Sequence, residues 1–416
     1  MSKTTRRLSY KMYPDAAQAA ALDAKARFLR DLWNSALQER IDAYRLRGES
    51  RSFVDQCRSV KEIACGVQGW RGLVHTHEAQ SVLKRLQNAF EAFFRRVAAG
   101  ETPGFPRYKG KDRFRGWGYK EHGNGFRLHQ DETMRHGKIR ISGVSGLIPL
   151  RGRPRTPGRV LSADVTRKRD SWFLSVVVDT DCAARPPAPA GSAVGFDLGV
   201  ETALTGAHPD GSFTAIPNPR HLATEAEGIR EEQRALSRLA RERKMSWAAY
   251  RRHKKRLARK HAKVAARRKD FHHKLSARIV REYALIATET LNVSGMTGSA
   301  RGTAAAPGKN VAQKAGLNRS ILDAGMASFL NMVRYKAEEA GSDFLEAVTR
   351  RLKPSQRCPG CDRVRKKPLG LRVHHCECGT RLGRDEAASL VLLNWGMREA
   401  ARLRPAGAAG PSPLTG

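Results

Sequence analysis

The sequence predicts a multi-domain protein of the α+β class, and three observations lead to that prediction. The chain has 416 residues, too many for one small hydrophobic core. Its N-terminal half contains long segments with apolar residues at helical spacing, followed by short segments of alternating polarity that are typical of strands. A Pro- and Ala-rich stretch, CAARPPAPAGS at 182–192, then predicts a linker between two parts.

The first part begins with a strand-like segment, RRLSYKMYP, that ends at Pro14. Asp15 is placed to cap the helix predicted over 15–48, where apolar residues recur every three or four positions. A second amphipathic helix is predicted over 78–100. Short strands such as HGKIRISG and SWFLSVVVD follow, so this part combines a helical domain with a β-rich domain.

The second part begins with three short strands, AVGFDLG, TALTGA and SFTAI, which predict a meander. Residues 229–280 then predict one long helical stretch crowded with Lys and Arg. An apolar strand, YALIATE, another helix that runs through Tyr335 and a cysteine-rich segment follow in that order. The second part is therefore expected to be a mixed α/β domain with a basic helical insert.

The charge of the chain indicates its class of partner. There are 77 Lys and Arg against 40 Asp and Glu, a formal net charge of +37. Such self-repulsion predicts a polyanionic partner, and nucleic acid is the polyanion that fits best. Because the sequence has no apolar run of about 18 residues, we expect no membrane partner. The basic N-terminus lacks the apolar core of a signal peptide, so we expect a cytoplasmic protein.

Two basic segments are candidates for nucleic-acid contact. Like charges four residues apart within 229–280 destabilise a helix unless phosphates neutralise them, although a solvated charged helix is the alternative. The segment 104–119 interleaves basic residues with rings that could stack on bases, and a surface loop with buried rings is its alternative. His272 and His273 are interpreted as phosphate or packing contacts. The candidate contacts are Arg107, Tyr108, Lys109, Lys111, Arg113, Arg251, Arg252, Lys254, Lys255, Arg267, Arg268 and Lys274.

Four clustered cysteines predict one zinc site. Cys358 and Cys361 have the spacing of a metal knuckle, and a second pair of ligands must complete a tetrahedron. Cys376 and Cys378 are closer together than usual, whereas His375 and Cys378 have the usual spacing, so either four thiolates or three with His375 hold the ion. Four protein ligands leave no open position, which indicates a structural Zn²⁺. The other three cysteines are scattered, which indicates reduced thiols rather than a disulfide framework.

Three acidic residues stand out by their positions. Asp197 ends the apolar strand AVGFD, Glu289 ends YALIATE, and Asp385 begins the helix DEAASLVLLNW. Each has an ordinary structural interpretation, Asp385 as an acid at a helix N-terminus and Asp197 as a turn former. Together they suit a cluster that holds two Mg²⁺ ions about 4 Å apart for the hydrolysis of a phosphodiester.

The order of these motifs resembles the TnpB family, the RNA-guided nucleases encoded by insertion sequences, and their descendants, the type V CRISPR effectors. GFDLG, ATETLNV and CGTRLGRDEAAS resemble the three motifs of a RuvC nuclease. Further blocks resemble other parts of the family, namely LWNSALQER, AQSVLKRLQNAFEAFFRR, GFPRYKGKDRFR, RRKDFHHKLS and KAGLNRSILDAGMASFLNMVRYKAEEAG. The resemblance extends over nearly the whole chain.

The resemblance implies an RNase H-like RuvC domain in which Asp197, Glu289 and Asp385 bind Mg²⁺ and cut DNA. It implies a guide RNA and a double-stranded target DNA with a short adjacent motif as partners, with Gln80 as a candidate reader of that motif. The zinc knuckle then interrupts the RuvC domain and fixes the approach to Asp385. The implied location is the prokaryotic cytoplasm, on the nucleoid when DNA is bound, and either a monomer or a dimer is compatible with the sequence.

The resemblance also implies boundaries for the α+β multi-domain architecture. The expected segments are a first wedge strand at 1–14, a helical recognition domain at 15–115, a β-rich wedge domain at 116–182, a linker at 183–192, a RuvC-like nuclease with a basic helical insert at 193–353, a zinc-knuckle segment at 354–380, the RuvC C-terminal helix at 381–404 and a disordered tail at 405–416.

The chain departs from the family pattern in three places. The third zinc position is His375 or Cys376, Gly383 stands where an Asp is common, and Ala387 and Val391 replace asparagines. None of these removes a carboxylate, so they bear on the rate of cleavage rather than on identity.

Four other functions compete with a transposon-associated RNA-guided DNA endonuclease. A miniature type V CRISPR effector has the same motifs. A nuclease-silent RNA-guided repressor is disfavoured because all three acids are present. A DNA-strand transposase with an RNase H-like core usually orders its acids differently. A sequence-independent RNA-binding protein accounts for the charge but not for three carboxylates in three motifs.

Overall fold

A computed structural model of the chain describes residues 4–66, 70–111, 113–130, 135–152, 158–168, 170–180, 188–242, 246–303, 305–368 and 370–403. The chain divides into two compact units, Met1–Ala183 and Ala184–Gly416. Residues 183–187 of the predicted linker and the whole predicted tail at 405–416 lie outside the described residues.

The first unit contains a seven-stranded antiparallel sheet with β1 near its centre. β1 pairs with β7 along most of its length and with β5 near its end, so the opening segment of the chain joins two halves of the sheet. The spatial order is β2-β6-β7-β1-β5-β4-β3. The strands are β1 (Thr4–Met12), β2 (Gly116–Tyr119), β3 (Phe126–Gln130), β4 (His136–Ile141), β5 (Ile148–Gly152), β6 (Arg159–Lys168) and β7 (Ser171–Thr180).

The helices of the first unit lie between β1 and β2 in the chain. They are α1 (Ala16–Arg47), α2 (Phe53–Gly66), α3 (Trp70–Leu73) and α4 (Thr76–Ala98). The predicted cap of α1 is confirmed, since the Asp15 carboxylate accepts a hydrogen bond of 2.8 Å from the Gln18 backbone N–H. Gly48 ends the helix in the left-handed conformation, at φ 67°.

A buried ion pair links the helices of this unit to its sheet. Lys25 on α1 and Glu78 on α4 are 1% and 0% exposed, and the Lys25 Nζ lies 2.7 Å from the Glu78 Oε2. Tyr119 on β2 donates a hydrogen bond to the same carboxylate. Because a buried charge without a partner is costly, this network holds α1, α4 and β2 in one arrangement.

The second unit contains a five-stranded mixed sheet in the order β10-β9-β8-β11-β12. β8, β9 and β10 form the predicted antiparallel meander, which is confirmed, while β8, β11 and β12 are parallel neighbours. Parallel strands need crossover connections, and the helices of this unit supply them. The strands are β8 (Ala193–Asp197), β9 (Thr202–Ala207), β10 (Phe213–Pro217), β11 (Leu285–Glu289) and β12 (Asp343–Ala347).

The remaining elements surround this sheet or extend from it. A short 3-10 turn, Ala223–Glu225, precedes α5, and a small hairpin of β13 and β14 leads into α11. These elements are α5 (Ala226–Leu239), α6 (Trp247–Glu282), α7 (Val293–Met296), α8 (Val311–Ala324), α9 (Met326–Ala340), α10 (Thr349–Leu352), β13 (Val373–His375), β14 (Arg381–Gly383) and α11 (Arg384–Leu403).

The prediction of one helical stretch over 229–280 is wrong, because the structure divides it into α5 and α6. Ser246 caps α6, and its side chain accepts a hydrogen bond from the Ala249 backbone N–H. The two helices then pair in antiparallel fashion, with Glu232 of α5 2.6 Å from His253 of α6. A helical hairpin therefore brings acids of α5 to the basic helix, which a single long helix could not do.

Helix α11 packs directly against β8 and β11. A Cβ atom at Gly195 of β8 would lie 2.2 Å from the Leu393 backbone nitrogen, and one at Gly396 of α11 would lie 2.4 Å from the Ala287 Cβ of β11. Side chains are thus excluded at both contacts, and the helix lies closer to the sheet than ordinary packing allows. Buried apolar residues, among them Leu393 and Met397, surround the contact.

We expect Gly195→Ala to lower the stability of the protein by about 3 kcal/mol, because the new methyl group must push the backbone of α11 away from β8. Thermal unfolding measures this change. Gly316→Ala in α8 is the matched control, since the nearest atom to its new methyl group lies 4.0 Å away. A Gly195→Ala protein as stable as the control would contradict the close contact.

Candidate active site

Two of the predicted acids lie side by side at one edge of the sheet. Asp197 is the last residue of β8 and Glu289 the last of β11. The parallel register pairs Leu285 with Ala193 and Ala287 with Gly195, and two further steps bring Glu289 beside Asp197. Since the carboxyl ends of parallel strands meet at the same edge, both carboxylates lie where ligands of α/β sheets usually bind.

The third acid reaches this edge through α11. Asp385 lies in the first turn of the helix, which begins directly after β14. The Glu386 carboxylate caps this turn by accepting a 2.8 Å hydrogen bond from the Gly383 backbone N–H. Because α11 is held against β8 and β11, its N-terminal turn brings Asp385 into the electrostatic environment of Asp197.

The electrostatics of the site oppose full ionisation. Burial, followed by the negative charges of Glu289 and Asp385, raises the pKa of Asp197 to about 8, although the positive charge of Arg384 opposes the rise. Burial also raises the pKa of Glu289, against a hydrogen bond from Thr349 that lowers it. The second carboxylate oxygen of Glu289, Oε2, is buried and has no hydrogen-bond partner.

This donor set fits a hard divalent cation. A buried carboxylate oxygen without a partner is costly, and three neighbouring carboxylates repel each other, so a positive ion between them would remove both penalties. Oxygen ligands alone are the preference of Mg²⁺. Asp197, Glu289 and Asp385 could therefore hold magnesium.

The four predicted cysteines form a second potential metal site. Their sulfur atoms all lie within 4.8 Å of one another. The Sγ atoms of Cys358 and Cys378 are 3.6 Å apart, and those of Cys361 and Cys376 are 3.5 Å apart. A tetrahedral Zn²⁺ about 2.3 Å from each sulfur would separate the sulfurs by about 3.8 Å, so the four thiols match its geometry.

His375 does not belong to this set, in contrast to one of the two ligand sets that the spacing allows. It is the last residue of β13, where it pairs with Arg381 and is exposed to solvent. Successive residues of a strand point to opposite faces, so His374 and His375 face opposite ways. His374 is the buried one of the two. No other set of potential metal ligands in the described residues is drawn together as tightly as the four thiols.

The predicted contact loop at 104–119 is held against α1. The Trp33 indole N–H donates a 3.1 Å hydrogen bond to the Arg107 carbonyl, and the Asn34 side chain bonds both backbone groups of Lys109. The Lys109 ammonium lies 3.1 Å from the centre of the Trp33 ring. Burial, together with the positive charge of the nearby Arg85, lowers the pKa of Lys109 to about 8. Arg107, Tyr108, Lys111 and Arg113 are exposed.

Of the two interpretations of this loop, buried rings hold for most of its aromatic residues. Phe114, Trp117 and Tyr119 are core residues of the first unit, because the chain enters β2 there. Phe105 is half exposed but packs edge-on against Phe90. The candidate motif reader Gln80 lies on α4, where its side chain accepts a hydrogen bond of 3.0 Å from Lys120. Tyr108 is the remaining exposed ring at 47%.

The predicted contacts on α6 fall into two groups. Arg251, Arg252, Lys254 and Lys255 are exposed in the first turns of the helix. Farther along, Arg267 pairs with Glu225, Arg268 with Asp323 and Lys274 with Asp270, at 3.2, 3.4 and 2.6 Å. His272 is buried and lies 3.0 Å from the Ala324 carbonyl, so it is a packing residue. Arg251, Arg252 and Lys254 form no ion pair with a carboxylate among the described residues, so these early turns carry more of the unneutralised charge.

A basic face on the first unit was missed by the sequence reasoning. Arg127 of β3 lies opposite Arg140 of β4, and His129 lies opposite Lys138. Like charges directly opposite each other destabilise a strand pair, so this face favours an anionic ligand. The alternation of basic with apolar residues in FRLHQ and KIRI was the available signal, but the pairing of the two strands is needed to recognise it.

Models of known protein families match three parts of the chain. One described as a probable transposase matches residues 173–300, one described as a Cas12f1-like TNB domain matches 327–392, and one described as a helix-turn-helix domain matches 1–49. Together the three matches cover more than half of the chain. The matches to the first two descriptions include all three acids and all four clustered cysteines.

Two curated proteins are similar over most of their length. A protein of Streptomyces pristinaespiralis, provisionally named RNA-guided DNA endonuclease, is 28% identical over 409 residues, which are 96% of this chain and 92% of that protein. One of Escherichia coli K12, provisionally named RNA-guided DNA endonuclease InsQ, is 30% identical over 291 residues, 69% of this chain and 66% of that protein.

The fold is similar to that of a solved structure of a Cas12f1-sgRNA-target DNA complex. The TM-score is 0.56 at 10% sequence identity, over 94% of this chain and 98% of that one. This similarity concerns the fold alone. Within the described residues, none of the helices combines the length and the apolar character needed to cross a membrane.

We expect Asp197→Asn to stabilise the magnesium-free protein increasingly as the pH rises from about 4 to about 8. The folded chain keeps a proton on Asp197 that the unfolded chain releases above its ordinary pKa, so the free energy of unfolding of the unsubstituted protein falls across this range. The variant does not lose this stability, so at pH 8 its free energy of unfolding should exceed that of the unsubstituted protein by about 2 kcal/mol or more. Thermal unfolding in magnesium-free buffer that retains zinc measures the difference.

Asp210→Asn serves as the control for this experiment. Hydrogen bonds from Ser212 lower the pKa of Asp210, so its replacement should not stabilise the protein at any pH. If the stability of both variants, relative to the unsubstituted protein, had the same pH dependence, the raised pKa of Asp197 would be contradicted.

Proposed function

The chain belongs to the TnpB family of insertion-sequence proteins, and from this premise we propose that it is an RNA-guided DNA endonuclease. The observation that carries the proposal is that Asp197 and Glu289 end adjacent parallel strands, where the charge of Asp385 also acts on Asp197 and a buried oxygen of Glu289 has no partner. A net charge of +37 around such an acidic site is what a nuclease needs in order to hold a polyanionic substrate.

The three carboxylates would hold two Mg²⁺ ions. When bound, the ions would supply an activated water and stabilise the leaving oxygen of a phosphodiester. Asp197 must lose its proton before it can serve as a ligand, and its raised pKa makes this the pH-sensitive step of metal binding. Thr349 lies beside Glu289, where it lowers the pKa of that carboxyl, and its hydroxyl donates a 2.5 Å hydrogen bond to the Thr290 carbonyl.

The basic surfaces would hold the guide RNA and the target DNA. In such a system base pairing reads the sequence of the target, while the protein contacts backbones and a short adjacent motif. The exposed cations of α6, of the loop at 104–111 and of the β3–β4 face suit backbone contacts. Gln80 remains the proposed reader of the adjacent motif on α4, and its partner Lys120 would be displaced or shared.

The four cysteines would bind one structural Zn²⁺ as thiolates. The sulfur spacings support four-thiolate ligation rather than ligation by His375. The hairpin of β13 and β14 lies within this segment and leads directly into α11, so zinc would fix the start of the helix that carries Asp385.

A nuclease-silent RNA-guided repressor is the second candidate, because the same basic surfaces would serve binding without cleavage. The presence of all three acids in one site favours cleavage.

We expect Asp197→Ala to abolish DNA cleavage and to leave guided DNA binding intact, because it removes a metal ligand without altering the basic surfaces. The protein is purified with the RNA that it acquires when expressed with its native flanking DNA, and cleavage and binding of a matching duplex are measured. Cleavage should fall at least about a thousandfold, while Asp210→Ala leaves it unchanged. Binding without cleavage by the unsubstituted protein would favour the repressor, and cleavage by Asp197→Ala would contradict the metal assignment.

We expect Cys358→Ser to reduce both the zinc content and the soluble yield, because the loss of one thiolate weakens the binding of the zinc ion around which the cysteine segment folds. Elemental analysis of the purified protein measures the zinc-to-protein ratio. Cys57→Ser is the control, since Cys57 lies in the first unit on α2. Full zinc occupancy and normal yield in Cys358→Ser would rule out a structural four-thiolate site.

A further inference from the structure

The hairpin of α5 and α6 has almost no hydrophobic core of its own toward its tip. Polar contacts link this hairpin, Glu232 of α5 with His253 of α6 and Glu225, directly before α5, with Lys263 of α6, each at 2.6 Å. Over α5 and the first half of α6, only Ile229 and Val264 among the described residues are buried. Polar contacts therefore contribute more to this segment than apolar burial does, and its surface suits a polar ligand.

Positive charge accumulates at the end of the hairpin where α6 begins. The first acidic residue of α6 is Asp270, more than six turns into the helix. Toward the start of the helix, Arg251, Arg252 and Lys254 form no ion pair with a carboxylate among the described residues. The positive end of the helix macrodipole adds to this potential.

An exposed tryptophan lies at this same end. Trp247 is the first residue of α6 and is 63% exposed, whereas Trp33, Trp117 and Trp172 are each at most 5% exposed. Its ring meets that of Tyr250 edge-on, with 6.0 Å between the ring centres. The Arg251 side chain donates a 3.3 Å hydrogen bond to the Trp247 carbonyl, so the cations begin directly beside the ring.

We propose that Trp247 stacks on an exposed nucleobase of a nucleic acid whose phosphates are held by Arg251, Arg252 and Lys254. An aromatic ring beside unpaired cations is the combination that binds a base face together with its backbone. A large exposed indole is unfavourable in water, and stacking would bury it without requiring a particular base. The inference rests on the proposed function, because it assumes that the chain binds nucleic acid.

The base could belong to the guide RNA, to the target DNA or to the end of the duplex that they form. All three present the same chemistry, a base face with one side free. None of the three acids belongs to this site, so it would position nucleic acid rather than take part in hydrolysis.

Affinity and its salt dependence separate stacking from phosphate contact. We expect Trp247→Ala to weaken binding of the copurified RNA, or of its complex with target DNA, roughly 5- to 100-fold, with the slope of log affinity against log salt unchanged. Lys254→Gln should instead lower that slope by about one. Trp247→Phe should retain most of the affinity. Tyr44→Ala, which removes a ring that is 70% exposed on α1 of the first unit, is the matched control and should have no effect.

Tryptophan fluorescence identifies the source of the base. The difference in emission between the unsubstituted protein and Trp247→Phe isolates the Trp247 signal, and acrylamide reports its exposure. We expect acrylamide to quench the Trp247 emission strongly in the RNA-free protein. Bound nucleic acid should protect this emission, either once guide RNA is added or only once matching DNA is added as well. Protection by RNA assigns the base to the guide, and protection by DNA assigns it to the target or the duplex end.

Two results would overturn the inference. One is a Trp247 signal that acrylamide cannot reach in the RNA-free protein, which would mean that the ring packs on the protein itself. The other is unchanged affinity of Trp247→Ala for both nucleic acids. Either result leaves the proposed function intact as long as the unsubstituted protein binds its guide and cleaves matching DNA, whereas failure of those two activities would count against the function itself.

Discussion

The close contact of α11 with β8 and β11 is the constraint on which the site depends. Gly195 and Gly396 permit an approach that any side chain would prevent. The contact fixes the height of the helix on the sheet, and therefore the position of Asp385 relative to Asp197 and Glu289. The neighbouring acids at this partly buried edge raise the pKa of Asp197, and one oxygen of Glu289 is left without a partner. The apolar packing around the contact must outweigh this electrostatic cost for the unit to fold before any cation binds.

The segment before α11 acts on the same position from the other side. The Arg384 backbone N–H donates a 2.8 Å hydrogen bond to the Arg372 carbonyl, and the guanidinium donates one of 3.0 Å to the Pro368 carbonyl. The charge of this side chain also opposes the rise in the pKa of Asp197. Arg384 thus connects the cysteine segment to the acids in both backbone geometry and charge. A change in the conformation of the cysteine segment would therefore alter the position of Asp385 directly, through its neighbour Arg384.

Local sequence signals were sufficient wherever the structure depends on neighbours in the chain. The cap by Asp15, the meander that starts at β8 and the ending of β11 at Glu289 all follow from periodicity and residue type within a few positions. The spacing of Cys358 and Cys361 likewise identified one half of the cysteine cluster. The other half stayed ambiguous because spacing alone does not say which face of β13 turns inward, and the pairing of His375 with Arg381 decides it.

The remaining errors come from contacts between distant parts of the chain. The composition of 229–280 favours one helix, and it does not reveal the antiparallel contacts of Glu225 with Lys263 and Glu232 with His253 that mark a hairpin. Rings such as Trp117 look like base-stacking residues in a basic loop, but their burial depends on a sheet assembled from the whole first unit. The same reasoning explains why the opposition of Arg127 and Arg140 was missed, since strand register is a tertiary property. In a chain of this charge, composition identifies nucleic acid as the partner, but the cations left without carboxylate partners after folding determine which surfaces are available to bind it.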